Sequence, residues 1–64
     1  MGFRSEREKA GKTVREVMEV LGVSDATVYY WETGVSAPRA ERLRKLAILY
    51  GCSVDDLLKG NPKP

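Results

Sequence analysis

Thr13-Val14-Arg15-Glu16-Val17-Met18-Glu19-Val20-Leu21, then Gly22-Val23-Ser24, then Asp25-Ala26-Thr27-Val28-Tyr29-Tyr30-Trp31-Glu32-Thr33-Gly34: this stretch decides the fold. Thr13-Val14-Arg15-Glu16 has the form of a capping box, in which a Thr side chain and a Glu three residues later satisfy each other's free backbone N–H groups at a helix start. Val14, Val17, Met18 and Leu21 then recur at helical spacing. Gly22 can adopt the left-handed conformation that ends a helix. Ser24 is a good N-cap for the next one, which Gly34 stops. Val28-Tyr29-Tyr30-Trp31 is β-prone taken alone, but it is short and lies between those two signals, so it reads as helix. A connection of three or four residues containing Gly joins the halves of a helix-turn-helix. On spacing alone, an ordinary αα-corner with no ligand fits equally well.

Outward from this pair the pattern stays helical. Phe3 to Ala10 forms a first segment, ended by Gly11. A fourth follows Pro38 and runs to Gly51, with Leu43, Leu46, Ala47 and Tyr50 on one stripe. Ser53-Val54-Asp55-Asp56 opens a fifth in capping-box-like fashion, and Leu57 and Leu58 follow. No segment alternates at period two, and nothing repeats. The expected architecture is all-α, five short helices with the short connections of compact helical domains. One domain is expected over residues 1–60, with the helix-turn-helix at about 14–33, and residues 61–64 form a short flexible tail rich in helix breakers.

Composition narrows the chemistry. The 64 residues suit one domain, and 42% apolar with 31% charged residues suits a globular one. There is no His, so no Ser-His-Asp or Cys-His arrangement exists. The single cysteine, Cys52, excludes an intrachain disulfide and a multi-cysteine zinc site. The six glycines are scattered rather than gathered in a phosphate-binding loop. An enzyme is therefore not expected, nor a metal or cofactor. No apolar run of about 18 residues suggests a membrane span, and no secretory leader pattern opens the sequence, so a cytoplasmic location is expected. The net charge of +2 is mild for a polyanion partner. Its placement is less even: Arg39, Arg42, Arg44 and Lys45 cluster around one acid, Glu41, although a solvated helix face is the commoner meaning of such a run.

The wheel of the third segment adds information. At ~100° per residue, Val28 and Trp31 lie ~60° apart on one side, with Glu32 ~40° from Val28 at the border. Asp25, Ala26, Tyr29, Tyr30 and Thr33 share a ~140° arc elsewhere. Two tyrosines and an alanine make an unusual solvent face, and contiguous apolar surface marks an interaction site unless the rings fold back onto the core. A DNA major groove accepts one helix, and short side chains let it approach the base edges.

Arg7-(x3)-Gly11, Leu21-Gly22-Val23-Ser24, Val28-(x3)-Glu32-x-Gly34, Pro38, Leu43-(x2)-Leu46-Ala47 and Cys52-Ser53-Val54-Asp55-Asp56-Leu57-Leu58 occur in that order. Each is weak alone. Together, over Phe3 to Leu58, they resemble the Cro and lambda-repressor (XRE-like) helix-turn-helix transcription factors. The resemblance implies the lambda-repressor-like fold with the third segment as recognition helix. It places Ser24, Asp25, Ala26, Tyr29 and Tyr30 near base edges, and Thr27 and Thr33 near phosphates. It also implies an Arg7–Glu32 pair. The wheel supports that pair, because a nearly buried carboxylate needs a cation and Arg can hold it while donating outward to a phosphate. The chain departs from the family at Val14, where Gln is usual and touches a phosphate, and at Met18, where Ala is preferred. Glu6 and Lys12 occupy commonly apolar slots. Asp25 heads the recognition helix, where it suits the helix dipole and could also accept from a cytosine amino group. Cys52 fills an apolar slot and reads as a structural thiol.

The expected function is a sequence-specific double-stranded DNA-binding regulator, a repressor of bacterial or phage origin. Ser36, Arg39 and Arg42 join the expected phosphate contacts, since helix N-termini and Arg suit anions. A weak homodimer through Val54, Leu57 and Pro62 on a roughly palindromic operator is expected as well, because one recognition helix reads few base pairs. Leu57, Leu58 and Pro62 could equally cap the core. The rival reading is a protein-interaction module on the same fold, antitoxin-like or antirepressor-binding, with the tyrosines facing a protein.

Overall fold

The computed structural model describes residues 2–59. Among them the chain forms α1 (Phe3–Lys9), α2 (Val14–Leu21), α3 (Asp25–Thr33), α4 (Ala40–Tyr50) and α5 (Val54–Leu58), with no strand. Pro62, expected at a dimer contact, lies outside the described residues, as do the 61–64 tail and its boundary at residue 60.

The helix starts follow local chemistry. At α2 the Glu16 N–H donates to Thr13 Oγ1 at 3.1 Å, and the Thr13 N–H donates to Glu16 Oε1 at 2.9 Å. α5 repeats the device: the Asp56 N–H donates to Ser53 Oγ at 3.0 Å and the Ser53 N–H to Asp56 Oδ2 at 3.2 Å. At α3 the Ser24 hydroxyl accepts from the Thr27 N–H at 3.3 Å. Gly22 has φ 68, a left-handed conformation that a β-carbon disfavours. There its N–H and that of Val23 both donate to the Met18 carbonyl, which turns the chain out of α2 and into Ser24.

Each helix contributes to the core. Phe3, Val17, Leu21, Val28, Trp31, Leu46, Ala47, Tyr50 and Leu57 form one buried cluster, with Val14, Met18, Val23, Leu43 and Cys52 packed at its edge. The β-prone run is helical here because Val28 and Trp31 enter that cluster together from one side of α3. α1 closes the bundle against α5, where the Gly2 N–H donates to the Asp56 carbonyl at 3.3 Å. Two departures from expectation sit near this seam. Leu57 is wholly buried, so its side chain belongs to the core and offers a partner no surface; its neighbour Leu58 is 45% exposed. Glu6 is buried in place of an apolar residue, and its Oε2 has no hydrogen-bond partner among the described residues, only Lys9 Nζ at 3.7 Å.

Candidate functional site

The turn Gly22-Val23-Ser24 presents α3 across α2 with two unlike sides. Val28 and Trp31 point into the core, and the Glu32 side chain is only 4% exposed. Arg7 holds that carboxylate with two N–H groups: Nε donates to Oε2 at 2.6 Å and a terminal nitrogen to Oε1 at 3.3 Å. Its other terminal nitrogen donates to the Lys12 carbonyl at 3.1 Å, so one guanidinium fastens α1, the α1–α2 connection and α3. The hydrogen bond to Glu32 raises the Arg7 pKa further above its usual value. Tyr50, from α4, stands beside the pair; burial first, and then the Glu32 charge, push its phenol up, which keeps it neutral.

The other side of α3 is open. Ser24, Asp25, Ala26, Tyr29, Tyr30 and Thr33 are all exposed, and Thr27 is half-buried. Tyr29 and Tyr30 keep about half their surface in solvent, at 50% and 48%, so neither ring folds away into the core. Several of the polar side chains are partly committed to the helix itself. Asp25 Oδ1 accepts from the Ala26 N–H at 2.7 Å, which serves the helix end and leaves the second oxygen without a bond among the described residues. Ser24 Oγ also lies 3.1 Å from Thr27 Oγ1. The Thr33 hydroxyl donates to the Tyr29 carbonyl at 2.8 Å, so its hydrogen is already used.

The helix starts differ in what they leave for an anion. Glu16 closes α2 with a carboxylate, and the hydrogen bond from the Thr13 backbone holds that carboxyl below its ordinary pKa, hence ionised. α3 carries Asp25 and the Ser24 cap. At α4 the N-cap Arg39 makes no capping hydrogen bond with its side chain, and Arg39, Glu41 and Arg42 surround a cavity of about 350 Å³. Ser36 is exposed just before it, and its N–H closes the end of α3 by donating to the Tyr30 carbonyl at 3.2 Å. At the far end of the chain, Val54 is half-buried and Leu58 exposed. Burial raises the Cys52 thiol pKa, with the Glu6 and Asp56 charges adding to it, which favours the protonated thiol.

Two features were not anticipated. Tyr50 beside the ion pair depends on how α4 packs, which periodicity does not show. Arg4 lines a cleft with Arg7, Tyr29, Glu32 and Thr33; its position one turn before Arg7 was the signal available.

Comparison with known sequences agrees with this arrangement. The helix-turn-helix family model matches residues 3–57, which takes in all five helices nearly to their end. No curated protein and no solved structure matches the chain.

Proposed function

We propose that this chain, which belongs to the helix-turn-helix family of the lambda-repressor (XRE-like) type and is therefore a DNA-binding regulatory domain, is a sequence-specific repressor that reads the major groove with α3. The observation that carries the reading is the outer side of α3. It is exposed along its length, bears short side chains at its start and two tyrosines farther on, and is held from behind by the core and the Arg7–Glu32 pair. In this reading Ser24, Asp25, Ala26, Tyr29 and Tyr30 meet base edges, and Thr27, Ser36, Arg39 and Arg42 meet the backbone; Thr33, expected there too, must first release its hydroxyl hydrogen from the Tyr29 carbonyl. Phosphate contacts set the register and base contacts select the sequence. The uncapped start of α4, with Arg39 and Arg42, supports a phosphate there, whereas the Glu16 carboxylate at α2 opposes one.

Salt dependence tests this reading. Counterion release makes duplex affinity fall steeply with salt. Arg39→Ala is expected to weaken all sequences alike and to flatten the salt slope by about one unit. A flat slope for the unaltered protein favours the rival, a protein-interaction module, which the half-exposed tyrosines also suit.

A weak homodimer on a roughly palindromic operator completes the proposal. With Leu57 in the core, Val54 and exposed Leu58 are the available apolar contacts of α5. That surface is small, so pairing takes place chiefly on DNA, where two copies are held at high effective concentration. Footprinting is expected to show two protected patches about 34 Å apart on one face of the duplex. A single patch bound by one copy removes the dimer and leaves the domain assignment standing. A cytoplasmic location and a bacterial or phage origin are consistent with this role.

A further inference from the structure

The outer side of α3 lacks the side chains that recognise purines. From Glu16 to Pro38 the sequence has no Arg, Lys, His, Asn or Gln. In the major groove Arg and Lys donate to guanine O6 and N7, and Asn and Gln hold adenine N6 and N7 in two bonds. What α3 offers instead is a short inventory. Asp25 is exposed, one of its oxygens holds the Ala26 N–H, and the other has no bond among the described residues. That oxygen is an acceptor only. The Ser24 and Thr27 hydroxyls are engaged with each other, and the Thr33 hydroxyl hydrogen is on the Tyr29 carbonyl. The remainder is the exposed Ala26 methyl and the Tyr29 and Tyr30 rings, each about half in solvent. A Tyr hydroxyl can donate to a purine N7, but guanine and adenine share that acceptor, so one bond there does not tell them apart. The pyrimidines carry the complement of this inventory. Cytosine presents an amino donor, and thymine presents a C5 methyl group beside its O4 acceptor.

We propose that α3 selects its operator through the pyrimidines of the pairs it faces. Asp25 marks a cytosine by its amino group, and Ala26, Tyr29 and Tyr30 mark thymines by their C5 methyl groups. The inference rests on the DNA reading above and adds to it the class of base that carries the information; guanine and adenine enter as pairing partners. The sign of Asp25 fits this division. A carboxylate near the phosphates weakens binding to every duplex alike, so its contribution at the front of α3 is discrimination between sequences rather than affinity. The rings fit it too, because an apolar flank meets a methyl group without needing a hydrogen bond.

The test alters the DNA first and the protein second. Duplexes that the unaltered chain enriches from a random-sequence pool are the probe. In them each thymine is replaced in turn by deoxyuridine, which lacks only the methyl group, and each guanine by 7-deazaguanine, which lacks the N7 acceptor. Deoxyuridine is expected to weaken binding about fourfold for each methyl in contact, the worth of one buried CH2 group. Replacement of guanine is expected to leave affinity nearly unchanged. The deoxyuridine effect should shrink in Tyr29→Ala or Tyr30→Ala, which assigns each methyl to its ring. The second measurement takes Asp25→Asn. The amide can keep the Ala26 bond through its carbonyl oxygen and sets an NH2 donor where the free carboxylate oxygen stood. Preference for cytosine at one position is therefore expected to fall about tenfold in favour of a base with an acceptor there. Tighter binding to all sequences with the preference intact overturns the role of Asp25. Loss on 7-deazaguanine with no response to deoxyuridine overturns the whole inference and leaves the DNA reading standing. A pool from which no sequence is enriched fails the DNA reading itself, and the inference with it.

Discussion

The two sides of α3 differ in how their chemistry is satisfied. The inner side is closed: Val28 and Trp31 are buried, and Glu32 is held by two N–H groups of Arg7. The outer side carries two half-exposed tyrosines and the second oxygen of Asp25. The nine residues of one helix thus divide between holding the fold and facing solvent. The separation matters because a side chain whose bonds are made within the protein is poorly placed to bind anything else. It also means that substitutions on the two sides should be read by different measurements.

The largest effect is expected on the inner side. Trp31→Ala removes the largest side chain of the cluster and should cost about 3–5 kcal/mol, enough to leave a domain of this size mostly unfolded in thermal melts. Retention of a cooperative melt near that of the unaltered chain would break the comparison at its buried side. Next comes the ion pair. Arg7→Met or Glu32→Leu strands the remaining charge in a partly buried setting, which should cost on the order of 3 kcal/mol. The double variant should lose clearly less than the two single losses combined; simple additivity in urea unfolding would mean the pair contributes no coupling.

On the outer side the expected order reverses. Tyr30→Ala should leave stability within about 0.5 kcal/mol, as for other surface changes, while duplex affinity falls roughly tenfold, the loss of one substantial contact. A variant that lost stability instead would show that Tyr30 supports the fold after all. The smallest effect lies at the neighbouring cap. Glu16 has a lowered pKa because the Thr13 backbone N–H favours its ionised form. Its contribution is therefore complete above the ordinary glutamate value of 4.5 and is lost as pH falls through its lower value in the folded protein. Melting temperatures measured downward from pH 5 should fall less steeply for Glu16→Gln than for the unaltered chain.

The parts of the fold that were readable in advance are those whose causes are local. Thr13 with Glu16, Ser53 with Asp56, and Gly22 act within a few residues, so sequence order is enough to place them. The inner side of α3 was readable because Val28, Trp31 and Glu32 obey one helical period. Leu57 suits a dimer contact or the core equally by sequence, and it is core. A helix of five residues is less than two turns, so it defines no stripe that tells Leu57 from Leu58. The cleft beside Arg4 and the place of Tyr50 depend on how separate helices meet, and no single segment carries that information. Burial of Glu6 ran against the general rule that charged residues stay outside.

The bond from the Gly2 N–H to the Asp56 carbonyl bears on biosynthesis. A ribosome delivers the chain from its N-terminus, so α1 emerges long before the helix that closes over it. Until Val54–Leu58 are available, Phe3 and Glu6 lack the α5 side of their surroundings, and the core behind the helix-turn-helix is unfinished. The contact that completes this bundle joins residues near opposite ends of the described chain, Gly2 and Asp56, and such long-range closure has to offset its loop entropy in one step. Folding of the domain thus waits on α5, and released chains truncated before Val54 should remain open to protease.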